Sequence, residues 1–227
     1  MTASVAEPAT PAPRATAWPI RRVAVLGAGT MGSRIAAHLA NAGFPVLLLD
    51  LDNALVAKAL EGLKKSKPDA LASPEFLARV TTGNFQDDLA KLAECDWVIE
   101  AVAENLDIKR DLLARVAPHL RPNALLTTNT SGLPVAAIAQ TLPAELRRRF
   151  FGTHFFNPPR YMQLVEIIAT PESDPSAVAA VARFAEVHLG KTVVPANDRP
   201  NFIANRIGAF SLLNTIRVMQ AQGLTIE

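Results

Sequence analysis

Cysteine is nearly absent: a single residue, Cys95, in 227. A lone thiol excludes an internal disulfide and fits a reducing cytosol. Cys95 itself reads as a small buried apolar residue ahead of a strand. Long apolar runs are absent too, and no stretch reaches the roughly 18 residues that a membrane-crossing helix requires. Residues 1–19 are rich in Ala, Pro and Thr, have no apolar core, and carry Arg14 as their one basic residue. They resemble neither a secretory leader nor a transit peptide, and a disordered tail is expected. There is no Lys/Arg block, and a formal net charge of +2 gives nucleic acid little electrostatic reason to bind. No internal repeat is visible.

What is present is globular. Hydrophobic residues make up 49% and charged residues 19%, ample for a buried core, and 227 residues suffice for one sizeable domain or one domain plus part of another. Short β-type runs are expected at Val23–Leu26, Val46–Asp50, Trp97–Glu100 and Ala124–Thr128. Helical stretches at Met31–Asn41, Asn53–Lys65, Asp87–Ala93 and Leu106–Ala117 lie between or beside them. That alternation implies right-handed βαβ crossovers and a parallel sheet covered on both faces. The uninterrupted Val46-Leu47-Leu48-Leu49 is how such a strand reads. Beyond Phe150, strands are expected over 150–154 and 163–168, then a helix over 175–188 and a strand over 192–194. From Phe202, apolar residues at Ile203, Ile207, Phe210, Leu212, Leu213 and Ile216 recur at helical spacing toward Gln222.

The fold class predicted is α/β: a doubly wound, mostly parallel Rossmann-type sheet over 20–200, then the first helix of an all-helical region over 201–227. That helix has nothing after it to pack against, so the front part of a longer protein is expected.

Gly27-Ala28-Gly29-Thr30-Met31-Gly32 is a G-x-G-x-x-G motif, a weak signal in isolation. Here it follows a strand and opens a helix, and Asp50 ends the next strand, which is the context of a dinucleotide site. Gly27 permits the tight turn, Gly29 a close approach of backbone to pyrophosphate, and Gly32 close helix–strand packing. The backbone of Thr30 and Met31 opens the helix, whose N-terminus favours phosphate. Asp50 is expected to accept ribose hydroxyls. No arginine follows it, so NAD is favoured over NADP. Asp52 is better placed to cap the next helix.

In an open parallel sheet, ligands sit beyond the C-terminal strand ends. Three segments converge there: Glu100–Glu104, Thr128–Ser131 and the strand ending at His154. If 150–154 pairs with 163–168, Glu166 comes close to His154, and a carboxylate on one imidazole nitrogen fixes the tautomer and stabilises the protonated ring. Each residue also has a plainer reading. Ser131 and Asn129 could satisfy a turn, Lys109 a solvated helix face, Asn205 a helix cap, and Glu166 an exposed strand position.

Together, Gly27–Gly32, Glu100–Lys109, Asn129-Thr130-Ser131, Gly152-Thr153-His154-Phe155-Phe156-Asn157-Pro158, Leu164-Val165-Glu166 and Phe202–Arg206 resemble the L-3-hydroxyacyl-CoA dehydrogenase family. The resemblance covers about residues 20–220. It implies an NAD domain followed by a helical dimerisation domain, an acyl-CoA substrate, and oxidation of L-3-hydroxyacyl-CoA to 3-ketoacyl-CoA in β-oxidation. It further implies His154 as general base paired with Glu166, and Ser131 and Asn205 as hydrogen-bond partners of the reacting oxygen. Glu104, Lys109, Asn157 and again Ser131 are implied as cofactor contacts. The family suggests no metal. Two positions depart from the family pattern: Gly132, where many members carry a second Ser, and Asn201, where a Gly before Phe is common. Rival readings are a same-fold dehydrogenase of a non-CoA hydroxy acid and a non-catalytic NAD(H)-binding module. Lys58, Lys64, Lys65 and Lys67 could receive the CoA phosphates.

Overall fold

A computed structural model describes residues 18–225 of the chain. The expected disordered tail therefore falls outside the described residues, except at its end. There Trp18 does not behave as tail: its indole N–H donates to Ser176 at 3.2 Å, and the ring packs against the core.

Eight strands form one sheet in the order β3-β2-β1-β4-β5-β6-β7-β8. They are β1 Val23–Leu26, β2 Val46–Asp50, β3 Val80–Asn84, β4 Trp97–Glu100, β5 Leu125–Thr128, β6 Phe150–Phe155, β7 Leu164–Ile168 and β8 Thr192–Ala196. The first six run parallel, β7 is antiparallel to β6, and β8 is parallel to β7. The doubly wound, mostly parallel sheet is thus as expected. The edge strand β3 was not anticipated, because Val-Thr-Thr-Gly-Asn lacks the apolar run that marks its buried neighbours. The helix expected over 87–93 is instead a short 3₁₀ turn over Leu89–Glu94. Pro195 lies in β8, at the opposite edge, where a missing N–H costs no ladder bond.

Side chains of alternate parity in β1, β2 and β4 feed two cores. Val23, Val25, Leu48, Trp97 and Ile99 pack under α1 (Thr30–Asn41), α2 (Asn53–Lys64) and α6 (Pro175–Leu189). Ala24, Leu26, Leu47, Leu49 and Val98 pack under α3 (Leu106–Val116), α4 (Val135–Ile138) and α5 (Ala144–Arg147). Burial of a Val or Leu side chain contributes roughly 1.5–3 kcal/mol, so a sheet buried on both faces dominates the stability of the domain.

Helix starts follow local chemistry. Asp52 caps α2 by accepting from the Leu55 N–H at 2.8 Å, as expected, and Asn105 caps α3. Asp174 caps α6, which ends at Gly190 in the left-handed conformation. No side chain caps α1 at Gly29. The last helix, α7 (Ala204–Ala221), has no buried residue: Ile207, Phe210 and Leu213 are each more than 60% exposed. No described helix is long and apolar enough to cross a membrane.

Candidate active site

The glycine motif forms a cradle at the C-terminal end of β1. A Cβ on Gly27 would lie 2.7 Å from the Ala101 carbonyl oxygen, and one on Gly32 only 1.8 Å from the Gly27 carbonyl oxygen. Both positions therefore exclude any side chain on steric grounds. Gly29 is different: a Cβ there meets nothing within 4 Å, so its bareness serves open space rather than packing. That space faces the uncapped start of α1, whose amides are oriented for an anion. Asp50 accepts from the backbone N–H of Ala28 at 2.5 Å and of Leu51 at 2.6 Å, which orients its carboxylate at the cradle rim. A groove of about 530 Å³ runs from Gly27 and Gly29 past Asp50 to Leu51, Phe85 and Ile108. The donor set and the bare glycine fit a dinucleotide.

On the same C-terminal edge of the sheet, β6 and β7 place His154 directly opposite Glu166. The His154 Nδ1–H donates to Glu166 Oε2 at 2.8 Å, both side chains being almost fully buried. This assigns the acceptor lone pair to Nε2, on the other side of the ring. Phe156 and Phe202 flank the imidazole, with ring centroids 4.5 and 5.7 Å away. The other carboxylate oxygen of Glu166 accepts from the backbone N–H groups of Ile203 at 3.1 Å and Ala204 at 2.8 Å. One carboxylate thus orients the imidazole and caps α7. The second of these roles was not legible in sequence.

Asn205, in the first turn of α7, donates to the Ser131 carbonyl oxygen at 3.0 Å, and the residues just before it, Phe202 and Ile203, contact His154 and Glu166. The Ser131 loop rests on Glu104, which accepts from Thr130 Oγ1 at 2.6 Å and from the backbone N–H of Ser131 and Gly132 at 2.8 and 3.1 Å. Burial opposes the Glu104 charge, but these donors and the nearby Lys109 outweigh it and hold its carboxyl below the usual range.

Lys109 itself does not line the groove. It is 1% exposed, and its ammonium donates to Glu100 at 2.7 Å and to the Val102 carbonyl at 3.3 Å. Glu100, at 0% exposure, also accepts from Thr128 at 2.6 Å and from the Val102 N–H at 2.8 Å. The alternative of a solvated lysine does not hold: the ammonium is a buried counter-charge behind the strand-end loop. Asn157 lies on the opposite rim, exposed, and accepts from Arg34 of α1 at 2.6 Å. Arg34 was not singled out in the sequence, although one helical turn past Thr30 is where a side chain reaches the cradle edge.

The two departures from the family pattern explain each other. A Cβ at Gly132 would come 2.5 Å from Asn201 Oδ1, so the Asn201 side chain occupies the space that a Ser at 132 would take. Asn201 and Phe202 both have positive φ, 63° and 46°, a conformation that Asn tolerates and bulkier residues resist. Asn201→Gly is expected to be neutral within about 0.5 kcal/mol, whereas Asn201→Ala costs about 1 kcal/mol. Gly132→Ser is expected to lower the thermal midpoint in the natural background and to lower it less alongside Asn201→Gly. Equal losses in both backgrounds would refute the pairing.

The family model of the 3-hydroxyacyl-CoA dehydrogenase NAD-binding domain matches residues 22–199. The chain therefore belongs to that family, as its Rossmann-type NAD-binding domain. A probable 3-hydroxyacyl-CoA dehydrogenase of Deinococcus radiodurans is 45% identical over 213 residues, covering 91% of this chain and 62% of its own length. A probable 3-hydroxyacyl-CoA dehydrogenase of Bacillus subtilis is 43% identical over 228 residues, covering 91% of this chain and 29% of its own length. Among solved structures, FadB2 of Mycobacterium tuberculosis superposes with a TM-score of 0.82 at 33% identity, covering 91% of this chain and 74% of that one. The chain thus spans less than two thirds of these first two relatives.

Proposed function

We propose that the full chain oxidises an L-3-hydroxyacyl-CoA to the 3-ketoacyl-CoA in the cytoplasm, with NAD as acceptor, as a step of fatty-acid β-oxidation. The observation that carries this reading is the buried His154–Glu166 pair at 2.8 Å, set at a strand end beside Ser131 and Asn205. The Gly27–Gly32 cradle and Asp50 would hold NAD, which would supply the hydride acceptor for the carbon that bears the substrate hydroxyl. His154 Nε2 takes the hydroxyl proton, while Glu166 holds the ring in the tautomer that makes this possible. Ser131 and Asn205 hold the reacting oxygen in line. In the reverse direction His154, protonated, polarises the ketone.

A second groove of about 380 Å³ between α1 and α2 continues the cofactor cradle: Gly29, Thr30 and Asp50 line it together with Arg34 and Lys58, which offer positive charge to phosphate. Of the lysines singled out in the sequence, Lys58 lines this groove, whereas Lys64 pairs with Glu61 and Lys67 with Asp69. The exposed apolar face of α7 supports reading residues 201–227 as the start of a helical region, with a homodimer for the full chain.

Comparing 3-hydroxybutyryl-CoA with free 3-hydroxybutyrate tests the assignment by NADH absorbance. A kcat/KM at least about 10²-fold higher for the thioester is expected, because remote binding energy is used at the reacting carbon. Equal values would favour the non-CoA hydroxy acid. NAD binding without turnover of either substrate would favour the non-catalytic module.

A further inference from the structure

Lys191 is a buried cation that the reaction does not use. It follows Gly190 at the end of α6, is 6% exposed, and faces no carboxylate within ion-pairing distance among the described residues. Its ammonium instead donates to two backbone carbonyls, those of Pro159 and of Met162, the latter at 2.8 Å. An ammonium held only by carbonyls is a costly way to fill buried space. Burial draws its pKa down to about 8. Its charge, after burial itself, helps to depress His38 to about 4.

Both carbonyls belong to the turn that joins β6 to β7. That turn does not set the His154–Glu166 distance, which the strand register already fixes. What the turn does place is Asn157, whose side-chain oxygen accepts from Arg34, and Arg34 lines the groove with Ala28, Gly29, Thr30 and Asp50. The turn is pinned on its other side as well: Arg160 donates to the carbonyls of Asp69 and Leu71 at 2.7 and 2.8 Å, and Tyr161 to that of Asp69 at 3.0 Å.

The geometry points to Lys191 as a positioning residue for the cofactor: it ties down the 157–162 turn so that Asn157 and Arg34 form one rim of the NAD cradle. This rests on the reading of the site as an NAD-dependent one. The path is Lys191, turn carbonyls, Asn157, cradle. It predicts a defect in cofactor affinity, with proton transfer left intact.

The test is a double-mutant cycle on NAD dissociation constants in the full chain, measured by calorimetry. Lys191→Met is expected to weaken NAD by about tenfold, the scale of a rim group displaced by loss of its support. Asn157→Ala is expected to weaken it comparably, and the double variant little more than Asn157→Ala alone, because residues acting along one path are not additive. At saturating NAD, kcat of the Lys191→Met variant stays within about twofold of the natural chain. If Lys191→Met fails to fold, Lys191→Gln, which keeps one donor, takes its place in the cycle. Additive losses, an NAD constant changed less than twofold, or a fall in kcat equal to the loss in affinity would each overturn the proposal. A chain that binds NAD but turns over no hydroxyacyl-CoA overturns the proposed reaction and leaves the cycle decisive. A natural chain that does not bind NAD overturns both.

Discussion

His154→Gln in the full chain lowers kcat for 3-hydroxybutyryl-CoA oxidation by about 10²–10⁴, the usual contribution of a positioned acid–base group. Gln approximates the reach of the imidazole and can still hydrogen-bond Glu166, so the variant removes proton acceptance and little else. The loss corresponds to about 3–5 kcal/mol of transition-state stabilisation. NAD affinity is expected to stay within about twofold, because the cradle at Gly27–Gly32 and Asp50 lies on β1, α1 and β2. Stopped-flow or steady-state NADH absorbance measures the first quantity and calorimetry the second. Turnover at the unmutated rate would remove His154 from the chemistry and with it the general-base mechanism.

Lys109→Met should be the most damaging substitution outside the dyad, and it acts on stability. Glu100 is fully buried, and its Oε1 is held by the Lys109 ammonium at 2.7 Å. Deleting the cation strands a carboxylate with the Thr128 hydroxyl and the Val102 N–H as its remaining donors. Removal of one partner of a buried ion pair costs about 3–5 kcal/mol, most of it the isolated charge. Glu100→Gln combined with Lys109→Met leaves no buried charge and is expected to recover about 2 kcal/mol or more of that loss. Urea unfolding midpoints of the three variants decide the matter. A double variant no more stable than Lys109→Met would mean that packing, not charge, is what Lys109 supplies.

The difference between what was readable in the chain and what was not has a physical basis. The glycine cradle was readable because strand, turn, helix and acidic strand end are contiguous, so their arrangement in space follows from order along the chain. The dyad was readable because β6 and β7 are joined by a short turn, and a period of two then pairs His154 with Glu166. β3 was hidden because an edge strand tolerates Thr81, Thr82 and Gly83 where a central one would need Val or Leu. The burial of Lys109 was hidden because a lysine on an amphipathic helix can as well be solvated, and only the strand end beneath it, which carries Glu100, decides. The contacts of Asn201 with Gly132, of Lys191 with the β6–β7 turn, and of Glu166 with the start of α7 join residues 29 to 69 positions apart, and no local pattern announces them.

Cross-strand placement of the base and its carboxylate also sets what can vary. Residues held opposite each other by a ladder keep their spacing whatever the length of the loop between them, but a slip of one residue turns a side chain to the other face of the sheet. The 156–163 segment is therefore released from one constraint, the spacing of His154 from Glu166, while it keeps others: Phe156 against the imidazole and Asn157 against Arg34. Insertions there are expected to shift the cofactor rim and the Phe156 wall of the imidazole while His154 stays opposite Glu166. Selection or design can therefore alter that rim without altering the spacing of the pair, provided that no change propagates into the pairing of Phe155 with Val165.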